Sequence, residues 1–444
     1  MILRLLITVL ICLSQAWGQT AIYRSVQPGN TSAIATGAGN NLNMPESTAI
    51  FSSPLPDTVG VGCVIQYDAS GDGVVDNIVF IHERVTSTVF HVCDSLGLYA
   101  PGGNIEPVSN DQDWSIFHAY TTLAKLQSST ENIGINAGLR NFDTSVGRDL
   151  VASNEILYAV CYRGRDTAAF NTGGDWNTSP TNNVTIITPY LTSQVGQSQR
   201  SDTWGNSYYL DVTGTAVLVD YGIAHATIDG LQFLCNLAGD YGISFTLDGG
   251  IYTVQNSLFK GGINVNGNIG ILAGGLGTTS VTVINCVFKY FGPGSGSDRA
   301  AVYTTNQGTP QFEVYNCVSD SSNFSFIRVV GTMVTTNCIT QHSGQGFSGT
   351  TGDYNISNLT SDAPGDSSYQ ATVVFNDIAS MDYSIDSNDV YAIDRGVDLS
   401  SEGFAIDVVN KTRPQGARWD RGAHESSASS ATPNLRRQRR TIWW

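Results

Sequence analysis

The chain has 444 residues, with 38 acidic against 22 basic side chains and a formal net charge of −16. That balance argues against nucleic acid as a partner, because phosphate binding needs a basic surface. It also disfavours adhesion to acidic polysaccharide unless cations bridge the two.

The first residues carry the pattern of a secretory signal: Arg4, then the apolar run Leu5–Leu13, then small residues at Ala16 and Gly18. Residues 1–18 are therefore expected to be removed, leaving a secreted or cell-surface chain. No later stretch approaches the ~20 apolar residues that a membrane-spanning helix needs.

Residues 19–112 read as an extended leader followed by a small β unit. Its three expected strands are Val59–Tyr67, Asn77–Val85 and Ser87–Asp94, each alternating apolar and polar positions. Between the first two lies DASGDGVVD. Asp68, Ser70, Asp72 and Asp76 fall at positions 1, 3, 5 and 9 of a calcium loop, where oxygen ligands at alternate positions can converge on a hard cation. Position 12 is Val79 rather than an acid, so a plain acidic turn between two strands is the competing reading. Calcium is the one cofactor the sequence suggests.

Asp113–Ser129 is expected to be a helix, with Asp113 as its cap and Ile116, Ala119, Tyr120, Leu123 and Leu126 on one face. Cys63 and Cys93 flank the same proposed hairpin and are the best candidates for a disulfide. No Cys-x-x-Cys pair supports a zinc site.

From residue 227 onward one phrase recurs: TIDGLQF, TVQNSLF, TVINCVF, EVYNCVS, VTTNCIT and NISNLTS. Aligned on the fourth residue, the copies give the column Gly230, Asn256, Asn285, Asn316, Asn337 and Asn358, at intervals of 26, 29, 31, 21 and 21 residues. Recurrence on that scale marks a solenoid. Apolar or small residues stand two before, one after and three after the column. The step of three breaks the two-residue period of a strand, so the chain must bend at the column. Asn and Gly tolerate the left-handed backbone of such a corner, and stacked Asn side chains can bond from one level to the next. Cys286, Cys317 and Cys338 fall in one inward column and read as a buried stack.

These phrases resemble the right-handed parallel β-helix of the pectate-lyase-like superfamily, most clearly over 227–361 and more loosely over about 185–425. The resemblance implies an all-β solenoid, with residues 130–425 forming the β-helix and 113–129 covering its open end. The stretch from the acidic turn to SQVGQSQR is similar to uncharacterised secreted bacterial β-helix proteins. The C-terminal phrases YAIDRGVDL and KTRPQGARWDRGAHE resemble the ending of many such proteins. In that ending Asp394, Arg413, Asp420 and Glu425 would form a cap that closes the last coil. Residues 426–444 read as a Ser/Ala linker and a basic, Trp-ended tail.

Catalytic phrases of the superfamily are missing: no Gly-His-Gly, no Arg-x-Lys in the repeats, no Asp-Pro-His-Asp. Asp229, Asp240, Asp248 and Asp320 are candidates for a carboxylate pair meeting across coils, though each alone reads as a turn residue. The six histidines show no ligand spacing. The expected function is a non-catalytic extracellular platform that binds a glycan or a surface protein. A polysaccharide lyase or glycoside hydrolase is the alternative, and a self-assembling filament subunit the second alternative.

Overall fold

The computed structural model describes residues 18–427, apart from 38–40, 46, 99–112, 144–147, 173–175, 213–217, 220–222, 238, 263–266, 276, 292–299 and 306. The expected signal segment before residue 18 and the basic tail from 428 lie outside the described residues.

Among the described residues three large sheets dominate, two of nine strands and one of seven, and every neighbouring pair of strands within them is parallel. The chain visits them in rotation. His225–Asp229 lies in the first sheet, Gln232–Cys235 in the second and Tyr241–Phe245 in the third. Ile251–Gln255 then returns to the first sheet beside His225–Asp229. Such a path is an all-β solenoid of three-sided circuits, and it is compatible with a β-helix.

Register follows from what each circuit must bury. Phe233, Phe259 and Phe288 are cross-strand partners, all fully buried. Their rings stack with centroids 4.7 and 4.8 Å apart. That is the spacing of neighbouring strands, so the backbone ladder and the ring ladder share one repeat. The corner before these strands is left-handed, with φ of +83° at Gly230, +52° at Asn256, +51° at Asn285, +51° at Asn316 and +57° at Asn337.

The sixth corner falls elsewhere than the phrases suggest. Thr336 pairs with Asp353 and Ile339 with Ile356, which places Tyr354 (φ +59°) opposite Asn337. Asn358 lies one residue beyond Ile356–Ser357 and is no corner. The last circuit is shorter than its predecessors, and an Asn at both 355 and 358 makes the phrase align four residues too late. Asn355 instead continues the buried column of Cys286, Cys317 and Cys338. Its side chain accepts from the Cys338 N–H at 3.0 Å and donates to the Thr335 carbonyl at 2.8 Å.

The N-terminal region is more ordered than its composition suggests. Thr20–Val26 forms the edge strand of the first parallel sheet, beside Glu155–Cys161. The expected three-stranded unit is part of a seven-stranded antiparallel sheet. The helix expected over Asp113–Ser129 is corrected to a strand, Trp114–Phe117, and a short helix, Leu123–Gln127. Trp114, Ile116 and Phe117 are strand formers, and Ile116 pairs with Ile65 on one side and Ala35 on the other. Thr122, not Asp113, caps the helix by accepting from the Lys125 N–H at 3.0 Å. The helix packs beside Phe170–Asn171 and Thr20–Val26, edge strands of the third and first sheets, and sends Leu123 and Leu126 into the main core.

The expected Cys63–Cys93 disulfide is absent. Cys63 belongs to the cluster on one face of the antiparallel sheet and Cys93 to the main core on the other, so their side chains diverge.

The C-terminal segment is not a lid on the last circuit. It runs over the outer face of the second sheet, where Val373, Phe375, Met381, Tyr383, Ile385, Val408 and Ala423 cover the column Leu258, Val287, Val318, Ile339 and Ile356. It reaches Asn337 and Asn355 at one end and Arg200 and Asp202 at the other. A lid would meet only the last level of the stack. This segment instead satisfies apolar and polar groups along several levels.

Candidate functional site

Each sheet offers an outward face, and the faces differ in what covers them. On the second sheet one outward column runs Leu234, Lys260, Lys289, Asp320 and Gln341, polar from Lys260 onward and aligned by the strand register. The C-terminal segment occupies it. The Lys289 ammonium donates to the Ile378 carbonyl. The buried Asp320 carboxylate accepts from Tyr383 Oη at 2.7 Å, from Ser321 Oγ at 3.1 Å, and lies 2.7 Å from His342 Nδ1. Burial and the Asp320 charge hold the Tyr383 hydroxyl well above the ordinary tyrosine range, so it stays protonated as a donor. A His beside a buried carboxylate has the form of a general-base dyad. Here the carboxylate is saturated by the chain itself.

The other acids proposed as a pair do not meet. Asp229 Oδ1 is 2.5 Å from Arg200 Nη2 and accepts from Asn256 Nδ2 at 2.8 Å. Asp240, raised by burial, accepts from the Leu237 N–H at 2.7 Å. Asp248 accepts from the Gly277 N–H at 2.5 Å and lines an open groove of about 440 Å³ with Thr246, Gly274, Thr305 and Gln307.

The corner ladder is partly linked. Asn285 Nδ2 donates to Asn256 Oδ1 at 3.1 Å and to the Ile406 carbonyl at 2.8 Å. Asn337 exchanges two bonds of 2.9 Å with the backbone of Val397. Asn316 stands between them, fully buried, with neither side-chain atom hydrogen-bonded. Arg413 ties the ladder to the C-terminal segment. It bonds Glu425 Oε2 at 3.1 Å, the Asp420 and Gly422 carbonyls at 3.1 and 2.9 Å, and Asn285 Oδ1 at 3.4 Å. The backbone N–H of Asp394 donates to Asp420 Oδ1 at 2.7 Å.

In the acidic turn the carboxylates face their own loop. Asp68 accepts from the N–H groups of Gly71 and Gly73 at 2.7 Å each and from Ser70 Oγ at 3.2 Å. Asp72 accepts from Val74 N at 2.9 Å, and Asp76 from Ala69 N at 2.8 Å. Their oxygens do not gather within 4.8 Å of one another. Among the described residues the one group of three ligating side chains that does is Asp202, Asp382 and His424. They come from the loop before Tyr208–Leu210, from the strand Asp382–Ile385 and from the end of the C-terminal segment. No spacing in the sequence could have joined them.

The first sheet is different. Thr185, Thr227, Thr253 and Thr282 are partners in register on four successive strands, followed by Glu313. All four threonines are half-buried and Glu313 is exposed. Beside them Ser280, Gln311 and Thr332 form a second polar row. In the sequence the signal is the first letter of three repeated phrases, three residues before the Asn column.

The chain matches no protein-family model, no curated protein and no solved structure, and none of these comparisons names the pectate-lyase-like superfamily for it.

Proposed function

We propose that this chain is a secreted right-handed parallel β-helix protein that binds a neutral, hydroxyl-rich glycan along the outward face of its first sheet without cleaving it. The observation that carries the reading is the register of Thr185, Thr227, Thr253 and Thr282, which sets four threonines in a row at about 4.8 Å intervals on one face. Each hydroxyl both donates and accepts, as sugar hydroxyls do. The net charge of −16 favours a neutral polymer over an acidic one. Acids and bases on the second sheet are engaged in bonds within the chain, which supports binding over acid–base chemistry.

The test is a glycan-array screen followed by the triple variant Thr227→Val, Thr253→Val, Thr282→Val. Valine keeps the β-branched shape, so the fold is retained while the hydroxyls go. Binding is expected to weaken at least tenfold with Tm nearly unchanged. Unaltered binding would move the site elsewhere. New reducing ends or unsaturated uronates would replace this reading with a hydrolase or lyase.

A further inference from the structure

We infer that Asp202, Asp382 and His424 form a binding site for a divalent transition cation of the zinc class, which fastens the C-terminal segment to the second sheet. Their ligating atoms lie within 4.8 Å of one another although 180 residues separate Asp202 from Asp382 and 42 separate Asp382 from His424.

Two further observations point to a ligand. His424 is almost completely buried, and its Nδ1 has no hydrogen-bond partner. Its Nε2 is 3.2 Å from Asp202 Oδ2, the one polar contact of the ring. Nδ1 is thus left unsatisfied in the interior, and the ring's polar contact is with the carboxylate cluster alone, so Nε2 is the nitrogen that faces it. Two carboxylates facing one another also repel, and a divalent cation between them would cancel that repulsion.

The surroundings are those of a supported site. Ser384 donates its N–H at 2.9 Å and its Oγ at 2.6 Å to Asp382 Oδ1, which fixes that carboxylate's orientation. One imidazole nitrogen with two carboxylate oxygens suits zinc, manganese or cobalt. Calcium and magnesium prefer oxygen alone. Three protein ligands leave a position for water or for an oxygen of a ligand. This site is separate from the threonine face, and its test does not depend on the glycan reading.

The experiment titrates Zn²⁺ into the chelator-treated full chain by calorimetry and follows Tm. One equivalent per chain is expected to bind. At a hundredfold excess over Kd, Tm is expected to rise by about 3 °C, and EDTA should reverse it. Asp382→Asn should weaken Zn²⁺ binding at least tenfold and leave the metal-free Tm equal or higher, because repulsion is relieved. His424→Gln should do the same to binding; if that variant misfolds, Asp382→Asn and Asp202→Asn decide. Asp72→Asn, in the acidic turn, should leave zinc binding intact. The inference is overturned if Zn²⁺ fails to bind, if binding survives both Asp382→Asn and Asp202→Asn, or if Ca²⁺ binds more tightly than Zn²⁺.

Discussion

Along the circuits from 225 to 315 the levels largely repeat, so an apolar side chain packs on its own kind: Phe259 between Phe233 and Phe288, Val283 between Val254 and Val314. The segment from 371 to 425 repeats nothing. It crosses several levels and holds on through single, differing contacts, many of them between buried charged or polar groups: Arg413 with Glu425, Arg421 with the Asn355 carbonyl, Asp407 with three backbone N–H groups. Repetition lets apolar burial accumulate with chain length. A segment that must fit many unlike neighbours needs directional bonds to fix its place. Two kinds of stability should follow: global for the circuits and local for the segment.

The largest effect should come from the ring ladder. Phe259→Ala removes the middle of three stacked, fully buried rings and leaves a cavity that the two backbones beside it cannot close. The loss should be about 4 kcal/mol, read from the denaturation midpoint. Hydrogen exchange should quicken in circuits on both sides of residue 259. If exchange quickens only in the strand Leu258–Gly261, the circuits are not coupled as the ladder requires.

Arg413→Leu should cost somewhat less, about 3 kcal/mol, and should act on the other region. It takes the counter-charge from the buried Glu425 carboxylate, which keeps only the N–H groups of Gln415 and Asp420, and removes the donor to the Asp420 and Gly422 carbonyls. Exchange and proteolysis should rise across residues 391–425 while the circuits keep their protection. Equal loss of protection in both regions would mean that the segment and the circuits unfold together, and the contrast drawn here would fail.

The same contrast explains what could be read from the residues alone. A corner that recurs at each level meets the same surroundings every time, so Asn256, Asn285, Asn316 and Asn337 stand out as a column. Tyr354 escaped because its circuit is shorter and its residue type differs, while Asn358 supplied a false match. The strand Trp114–Phe117 was hidden inside a helical pattern, since apolar residues at 116, 119, 120 and 123 fit a helix whether or not one forms. Its partners, near residues 35 and 65, are far away in sequence and decide the matter through tertiary pairing. Arg413 and Glu425 were named together from the ending they resemble. Their placement along the corner ladder, beside Asn285, depends on a path that no local signal encodes. Asp202, Asp382 and His424 are the extreme case, being ordinary residues in three unrelated stretches until the segment folds back.

Asp420 offers the finest test of the segment's charge network. Burial, and then the charge of Glu425, push its carboxyl up to about 7, against the pull of the Asp394 and Ser426 N–H groups and Arg413. An unfolded aspartate gives up its proton near pH 4. Between about pH 4 and 7 the folded chain therefore holds the proton that the unfolded chain has lost, and this group's contribution to stability falls as pH rises. Asp420→Asn cannot ionise, yet its amide oxygen can still accept from the Asp394 N–H. Relative to the parent chain, the variant should fare worst at pH 5 and best at pH 8, with a swing on the order of 1–2 kcal/mol because neighbours relax around the charge. Calorimetry at pH 5, 6.5 and 8 reads it directly. A difference that stays flat across those values would show that Asp420 is ionised throughout and that Arg413 offsets its burial fully; the segment would then be a balanced ion network rather than one carrying an unpaid charge at neutral pH.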